Sequence, residues 1–306
     1  MLARIQQVLV GVWLLAVVAA LVAAWRGTAQ GSAWWWLAAL FGGHAVWLAV
    51  TVALMRWHNR RDPAPPASWR DTLAAWWSEV RAAPAVFAWR QPFRSAAEPD
   101  HLPRDGAGRP GVVLVHGFLC NRGLWLPWLR RLRAAGVPFV AVTLEPVFGS
   151  IDDYAATIDD AVRRVAAATG QAPLLVGHSM GGLAIRAWMA ARSADDRVRG
   201  VITIGTPHAG TWLAEGSHFA INARQMRRGS EWLRALAAKE PDSRRRLFLC
   251  LWGHGDNIVF PASSACLPGA RHLHIPATAH LALLGHPDVW AAVRDALGIG
   301  ADQRAP

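Results

Sequence analysis

Two long apolar runs open the chain. Ile5 to Trp25 holds no charged residue, and Gly27 to Met55 holds none beyond a proton on His44. Each exceeds the roughly 20 residues that carry a helix across a bilayer. Joined by a turn around Arg26–Ser32, they predict a helical hairpin over residues 1–58. Trp34, Trp35 and Trp36 stand where the second run begins and Trp57 where it ends. Indoles favour the headgroup level, so these positions read as interfacial anchors. Arg60 to Pro66 is a proline-rich break and a natural linker. Trp69, Leu73, Trp76 and Val80 then recur at helical spacing, with Arg70, Glu79 and Arg81 off that stripe. The pattern predicts an amphipathic helix, lying on a membrane surface or packed on the rest of the chain. Pro84 and Pro92 are expected to end it, and residues 94–110 read as loop.

From Gly111 onward the rhythm changes. Short apolar runs at Val112–His116, Pro138–Thr143, Leu174–Val176, Val198–Ile204, Leu247–Trp252 and Arg271–Ile275 predict strands. Between and after them, Leu124–Ala135, Ile151–Thr169, Gly181–Arg192 and Pro287–Leu297 predict helices. Gly136 stops the first, and Asp152, Asp153 and Asp159 favour the positive end of the second. Strands alternating with helices imply an α/β domain whose mainly parallel sheet is covered on both faces.

Composition sharpens the reading of the first run. Hydrophobic residues make up 53%, tryptophans number 18 against one tyrosine, and the net charge is +11 with Lys239 the only lysine. A basic excess suits nucleic acid or an anionic membrane. No nucleic-acid motif is present and the arginines are scattered, so no nucleic-acid partner is expected. Arg4 precedes the first span, Arg56, Arg60, Arg61 and Arg70 follow the second, and only Arg26 lies between. The positive-inside rule then puts both ends in the cytoplasm. A competing reading makes Met1–Ala24 a signal peptide cleaved after Val22-Ala23-Ala24, which reverses the side the domain faces. Charge-free length in both runs favours the hairpin. For His44, helix packing beside Gly42-Gly43 is the simpler role.

Cys120, Cys250 and Cys266 are too few for a disulfide framework. Cys120 and Cys250 read as small core residues; a Cys250–Cys266 bridge belongs to an oxidising compartment only. No CxxC pair occurs, and neither a metal site nor a cofactor is expected.

The candidate chemistry sits at Gly177-His178-Ser179-Met180-Gly181-Gly182, directly after the apolar run Ala172–Val176. A strand ending in Gly-x-Ser-x-Gly and entering a helix is the pattern of a nucleophile elbow. Gly177 and Gly181 leave room for the sharp turn that exposes Ser179. A serine needs a base, an acid to orient that base, and donors for the oxyanion. His280, after the last strand, is the expected base, with His286 the runner-up. Asp256, after Leu247–Trp252, is the expected acid; Asp288 is the alternative, more simply a helix cap. The oxyanion donors are expected at the amides of Met180 and Phe118, with His116 and Gly117 shaping the loop that carries Phe118.

These residues resemble the α/β-hydrolase superfamily, and within it the bacterial triacylglycerol lipases. The resemblance rests on His116-Gly117-Phe118, the elbow hexapeptide, Gly205-Thr206-Pro207-His208-Ala209-Gly210-Thr211, Gly255-Asp256 and His280. It covers about residues 111–295. It implies an α/β-hydrolase fold over residues 111–306, preceded by the hairpin and a linker region at 59–110. Residues 210–246, with Trp212, Phe219, Met226, Trp232 and Leu233, would form a lid or cap over an acyl site. The implied activity is ester hydrolysis on lipids or other apolar acyl esters, through Ser179, Asp256 and His280. An acyltransferase with the same residues, or a non-catalytic membrane scaffold, are the alternatives. With the hairpin, the resemblance implies a multi-pass protein of the bacterial inner membrane with its catalytic domain in the cytoplasm. No protein partner is indicated.

Overall fold

The computed structural model describes residues 1–27, 31–103 and 108–300. Residues 28–30 of the expected turn, 104–107 of the expected loop and 301–306 lie outside the described residues. Two long helices come first, α1 (Leu2–Trp25) and α2 (Ser32–His58). By length and composition both are candidate membrane spans. They lie side by side: Trp13 donates its indole N–H to the Leu40 carbonyl at 3.1 Å and meets the Phe41 ring edge-on.

α3 (Trp69–Pro84) follows, opened by a capping box in which Ser68 and Asp71 satisfy each other's backbone amides. Contrary to expectation, Pro84 does not end the helical path. A π turn over Ala85–Arg90 and the short α4 (Gln91–Phe93) carry it on. Proline lacks the N–H that the Val80 carbonyl needs. That carbonyl instead lies 3.4 Å from Nε2 of His44 on α2. The structure thus gives His44 a helix-packing role. The buried face of α3 is Thr72, Ala75 and Glu79, while Trp69, Leu73 and Trp77 are exposed. Small residues on the inner face let the backbone approach the body of the protein closely.

The remaining elements are β1 (Val112–Val115), α5 (Leu126–Ala134), β2 (Phe139–Ala141), α6 (Ala155–Thr169), β3 (Leu174–His178), α7 (Met180–Arg192), β4 (Gly200–Ile204), α8 (Ile221–Gln225), α9 (Glu231–Ala238), α10 (Asp242–Arg245), β5 (Phe248–Trp252), β6 (Arg271–His274) and α11 (Pro287–Leu297). All six strands are parallel, in the order β2-β1-β3-β4-β5-β6. His101 forms an antiparallel bridge with Phe139, the first residue of β2, so the expected loop there contributes one bridge. Side chains alternate across β1. Val113 and Val115 enter a core with Ile158, Val162 and Leu183. Val112 and Leu114 enter a second core with Trp125, Trp128 and Val289. Each fully buried aliphatic side chain contributes about 1.5–3 kcal/mol, and two filled faces fix the strand register.

Residues 210–246 are tied down. Ala214, Met226, Leu233 and Leu236 belong to the first core. Trp232 donates to Asp152 at 2.8 Å, and Trp212 stacks on Phe260 beneath His58. Of the five apolar residues expected to line an acyl groove there, only Phe219 is fully exposed. A bidentate pair, Arg186 with Glu240, is wholly buried and joins α7 to the loop after α9. All three cysteines are free. Cys250 faces Nε2 of His208 at 3.5 Å rather than Cys266.

Candidate active site

Parallel strands bring their C-terminal ends to one edge of the sheet, and the residues singled out from the sequence gather there. Ser179 joins β3 to α7 with φ 55° and ψ −130°. A non-glycine residue rarely holds such a conformation, which costs about 1–3 kcal/mol and persists only where surroundings enforce it. The enforcement is visible. Ser179 N–H donates to the Ile204 carbonyl at 2.8 Å, and its own carbonyl accepts from Thr206 Oγ1 at 2.9 Å. A Cβ on Gly177 would strike the backbone of Gly182, and one on Gly181 would strike the Val115 and His116 carbonyls. Larger residues at either position would push the turn apart.

Asp256 and His280 arrive on the loops after β5 and β6. Nδ1 of His280 lies 2.8 Å from Oδ2 and 3.0 Å from Oδ1 of Asp256. Oδ1 also accepts the amides of Ile258 and Val259, which fixes the carboxylate. Burial alone would lower the His280 pKa. The charge and hydrogen bond of Asp256, with the charge of Glu79, outweigh it and raise the pKa above 6.5. Gly205, at φ 54°, lies beneath this pair. A Cβ there would sit 2.8 Å from Asp256 Oδ2 and 3.1 Å from His280 Nδ1. The runner-up residues are elsewhere in role: His286 caps α11 by accepting from the Asp288 amide at 3.2 Å.

The loop after β1 closes the other side of Ser179. A Cβ on Gly117 would come within 2.7 Å of Ser179 Cβ. The neighbouring Phe118 amide and the Met180 amide donate to no other group among the described residues. His116 is held neutral: burial pushes its pKa down to about 4. Its Nε2 accepts the Leu144 amide at 2.9 Å, which assigns the proton to Nδ1, 2.9 Å from the Gly117 carbonyl. His178 is also neutral, its pKa depressed by burial and by the charge of His280. Its Nε2–H donates to the His280 carbonyl at 3.2 Å. Both histidines set loop geometry.

Three contributors from the helices before the sheet escape the sequence reading: Gln91, Glu79 and Thr51. Gln91 Oε1 accepts the Asn121 amide at 2.9 Å, and its carbonyl accepts from Asn121 Nδ2 at 3.1 Å, steadying the loop that carries Phe118. Glu79 accepts the amides of Leu281 (3.0 Å) and Ala282 (3.3 Å), immediately after His280. Burial pushes the Glu79 carboxyl up to about 7; the His280 charge and the amide donors pull the other way. From α2, Thr51 Oγ1 accepts from Asn257 Nδ2 at 3.1 Å, and Asn257 Oδ1 accepts the His280 amide at 3.4 Å. No group of three or more histidine, cysteine or acidic side chains suited to a metal ion occurs among the described residues.

The profile of the alpha/beta hydrolase family matches residues 112–298, more than half the chain. The chain belongs to the alpha/beta hydrolase family. The chain is 31% identical over 130 residues to the probable esterase PIR7A of Oryza sativa subsp. indica. The match covers 40% of this chain and 46% of that protein, so the chain spans about half the length of the curated relatives it matches. Its fold is shared with the mature lipase BlEst2 of Bacillus licheniformis, at a TM-score of 0.56 and 18% identity, over 64% of this chain and 95% of that one. It is also shared with lipase B of Aspergillus fumigatus, at 0.56 and 20%, over 67% and 57%.

Proposed function

We propose that this hydrolase is a membrane-anchored serine ester hydrolase acting on acyl esters of lipids or similarly apolar substrates. The observation that carries the reading is the 2.8 Å contact of His280 Nδ1 with Asp256 at the sheet edge where Ser179 holds its strained turn. With Nδ1–H given to Asp256, Nε2 is the free base of the imidazole. Ser179 Oγ attacks the ester carbonyl as Nε2 takes its proton. The charge that develops on the carbonyl oxygen is met by the Phe118 and Met180 amides; one such donor accounts for about 100–1000-fold in rate. The imidazolium returns the proton to the leaving alcohol, leaving an acyl-Ser179 ester. Water, deprotonated by Nε2, releases the acid and restores the serine.

The apolar rim supports the substrate class. Leu119, Phe148, Phe219 and Ile221 are exposed large hydrophobics near the Phe118 loop, with Phe148 in ring contact with Phe118 and bonded through its carbonyl to Ile221. α2 docks at this same end of the sheet, through Thr51 to Asn257 and through Asn59 to His254 and Ala262. The candidate spans and the catalytic edge therefore share one side, and a lipid ester need not leave the membrane surface to reach Ser179. The arginine bias supports a two-span protein of the inner membrane with both ends of the hairpin in the cytoplasm.

Hydrolysis of p-nitrophenyl esters of graded chain length, by wild type and by Ser179→Ala, tests the assignment. Turnover that favours acyl chains and is lost in the variant supports it. Equal turnover in both rejects it. Protease access in intact cells checks the side of the membrane.

A further inference from the structure

A cavity lies between α2 and α3, and none of Ser179, Asp256 and His280 lines it. Its volume is about 440 Å³, and Val52, Leu73 and Trp76 line it. Arg56 and Arg60 stand at its border with Trp57 and Trp69. Arg56 donates to the Ala67 carbonyl and to Thr72 Oγ1, both at 2.9 Å, and its guanidinium lies 3.9 Å over the Trp69 ring. Arg60 lies 4.9 Å over Trp57 and makes no hydrogen bond or ion pair among the described residues. Among the described residues, no carboxylate pairs with either arginine there. The nearest in sequence are engaged elsewhere: Asp62 with Ser263, and Asp71 with Ser68 and, at 3.8 Å, with His254. Two oriented cations without counter-ions thus border an apolar groove, and the groove sits at the end of a candidate membrane span whose outer residues Val46, Trp47 and Val50 are exposed.

We propose that this groove binds one anionic phospholipid, its phosphate between Arg56 and Arg60 and an acyl chain along α2 and α3. Guanidinium groups suit phosphate by charge and by donor geometry. Basic pockets between helices at a membrane surface take anionic headgroups. A free phosphate satisfies the arginines and leaves the apolar floor uncovered. A neutral lipid covers the floor and leaves the arginines unpaired. The site differs from the acyl-ester site at Ser179, so the bound lipid is a resident and not the substrate. The proposal rests on the membrane reading above but not on the chemistry at Ser179.

The test uses the full-length Ser179→Ala chain, which cannot consume an ester probe. It is placed in vesicles of phosphatidylcholine with a minor share of phosphatidylglycerol, extracted in mild detergent, and weighed intact by native mass spectrometry. The expected result is one retained phosphatidylglycerol in preference to phosphatidylcholine. Arg60→Gln, which breaks no hydrogen bond, lowers that preference about fivefold, the share of a single surface arginine; Arg56→Gln with Arg60→Gln removes it. Insertion into vesicles without preference for the anionic lipid overturns the proposal alone. So does an unchanged preference in Arg60→Gln, or displacement of the lipid by millimolar inorganic phosphate. Failure to enter vesicles at all overturns the membrane reading and the proposal together, while ester turnover by wild type still stands or falls separately.

Discussion

The carboxylate of Glu79 receives the amide hydrogen of Leu281 at 3.0 Å, one residue beyond His280 and 202 positions away in the chain. The contact ties the helical path that leaves the hairpin to the loop that presents the proposed base. It also puts a second buried acid near the imidazole, with Asp256 and the neutral His178 its other titratable neighbours. Glu79→Gln keeps an acceptor for the two amides and removes the charge. The expected outcome is a fall in kcat of about tenfold, the scale of one charge-assisted hydrogen bond. Because Glu79 helps raise the His280 pKa, the acidic limb of the pH–rate profile moves to lower pH in the variant. A purely structural loss would lower the rate and leave the limb in place.

The same carboxyl gives stability a pH dependence. Its pKa is about 7 in the fold against 4.5 when free. The folded state therefore holds the proton more tightly, so the contribution is fully present below about 4.5 and is lost as pH rises through about 7. Thermal melts of wild type should decline across that window from this source. Glu79→Gln should flatten the decline.

Asp256→Asn removes the acceptor that fixes Nδ1–H. Triads of this kind lose about 10,000-fold in kcat on that change, because the imidazole is left in the wrong tautomer. In wild type the base must be neutral to act, so the rate falls as pH drops through a pKa raised above 6.5. In the variant the raising charge is gone and the limb shifts downward. Steady-state rates between pH 5 and 9, a range of about four units around the histidine, check both.

Gly205→Ala is expected to disable catalysis with little effect on the rest of the fold. The new Cβ would lie 2.8 Å from Asp256 Oδ2 in a backbone conformation at φ 54°. Displacing the pair by about an ångström costs on the order of 100-fold in rate. Circular dichroism close to wild type, with turnover reduced to that extent, is the expected pair of results.

Glu240→Gln tests packing apart from chemistry. It leaves the Arg186 guanidinium buried without its counter-charge, since both groups are about 1% exposed. The expected cost is about 3–5 kcal/mol, or a fall in Tm on the order of 10 °C. Below the melt, kcat should change little.

The proposed catalytic edge is legible in the sequence because its signals are local. The elbow declares itself within six residues, and Asp256 and His280 stand just past β5 and β6. Strand and helix patterns fell close to the observed elements because both faces of the sheet are buried. Glu79 was hidden because an acid beside a tryptophan stripe reads as solvent-facing. The inner face of α3 is instead Thr72, Ala75 and Glu79, a row that helical spacing alone connects. Pro84 misled for a related reason: the Val80 carbonyl it leaves unpaired faces His44, a partner 36 positions away. The 210–246 segment has the composition of a lid, yet Met226 and Leu233 are drawn into the core. Composition carries no information about which apolar residues find a neighbour.

Covalent capture by a fluorophosphonate addresses the proposed chemistry at its first step. The wild-type chain should form one adduct, mapped by peptide mass spectrometry to Ser179. Labelling should vanish in Ser179→Ala and slow sharply in His280→Ala. A folded wild-type chain that stays unlabelled, or an adduct on another residue with Ser179→Ala still turning over esters, would contradict it.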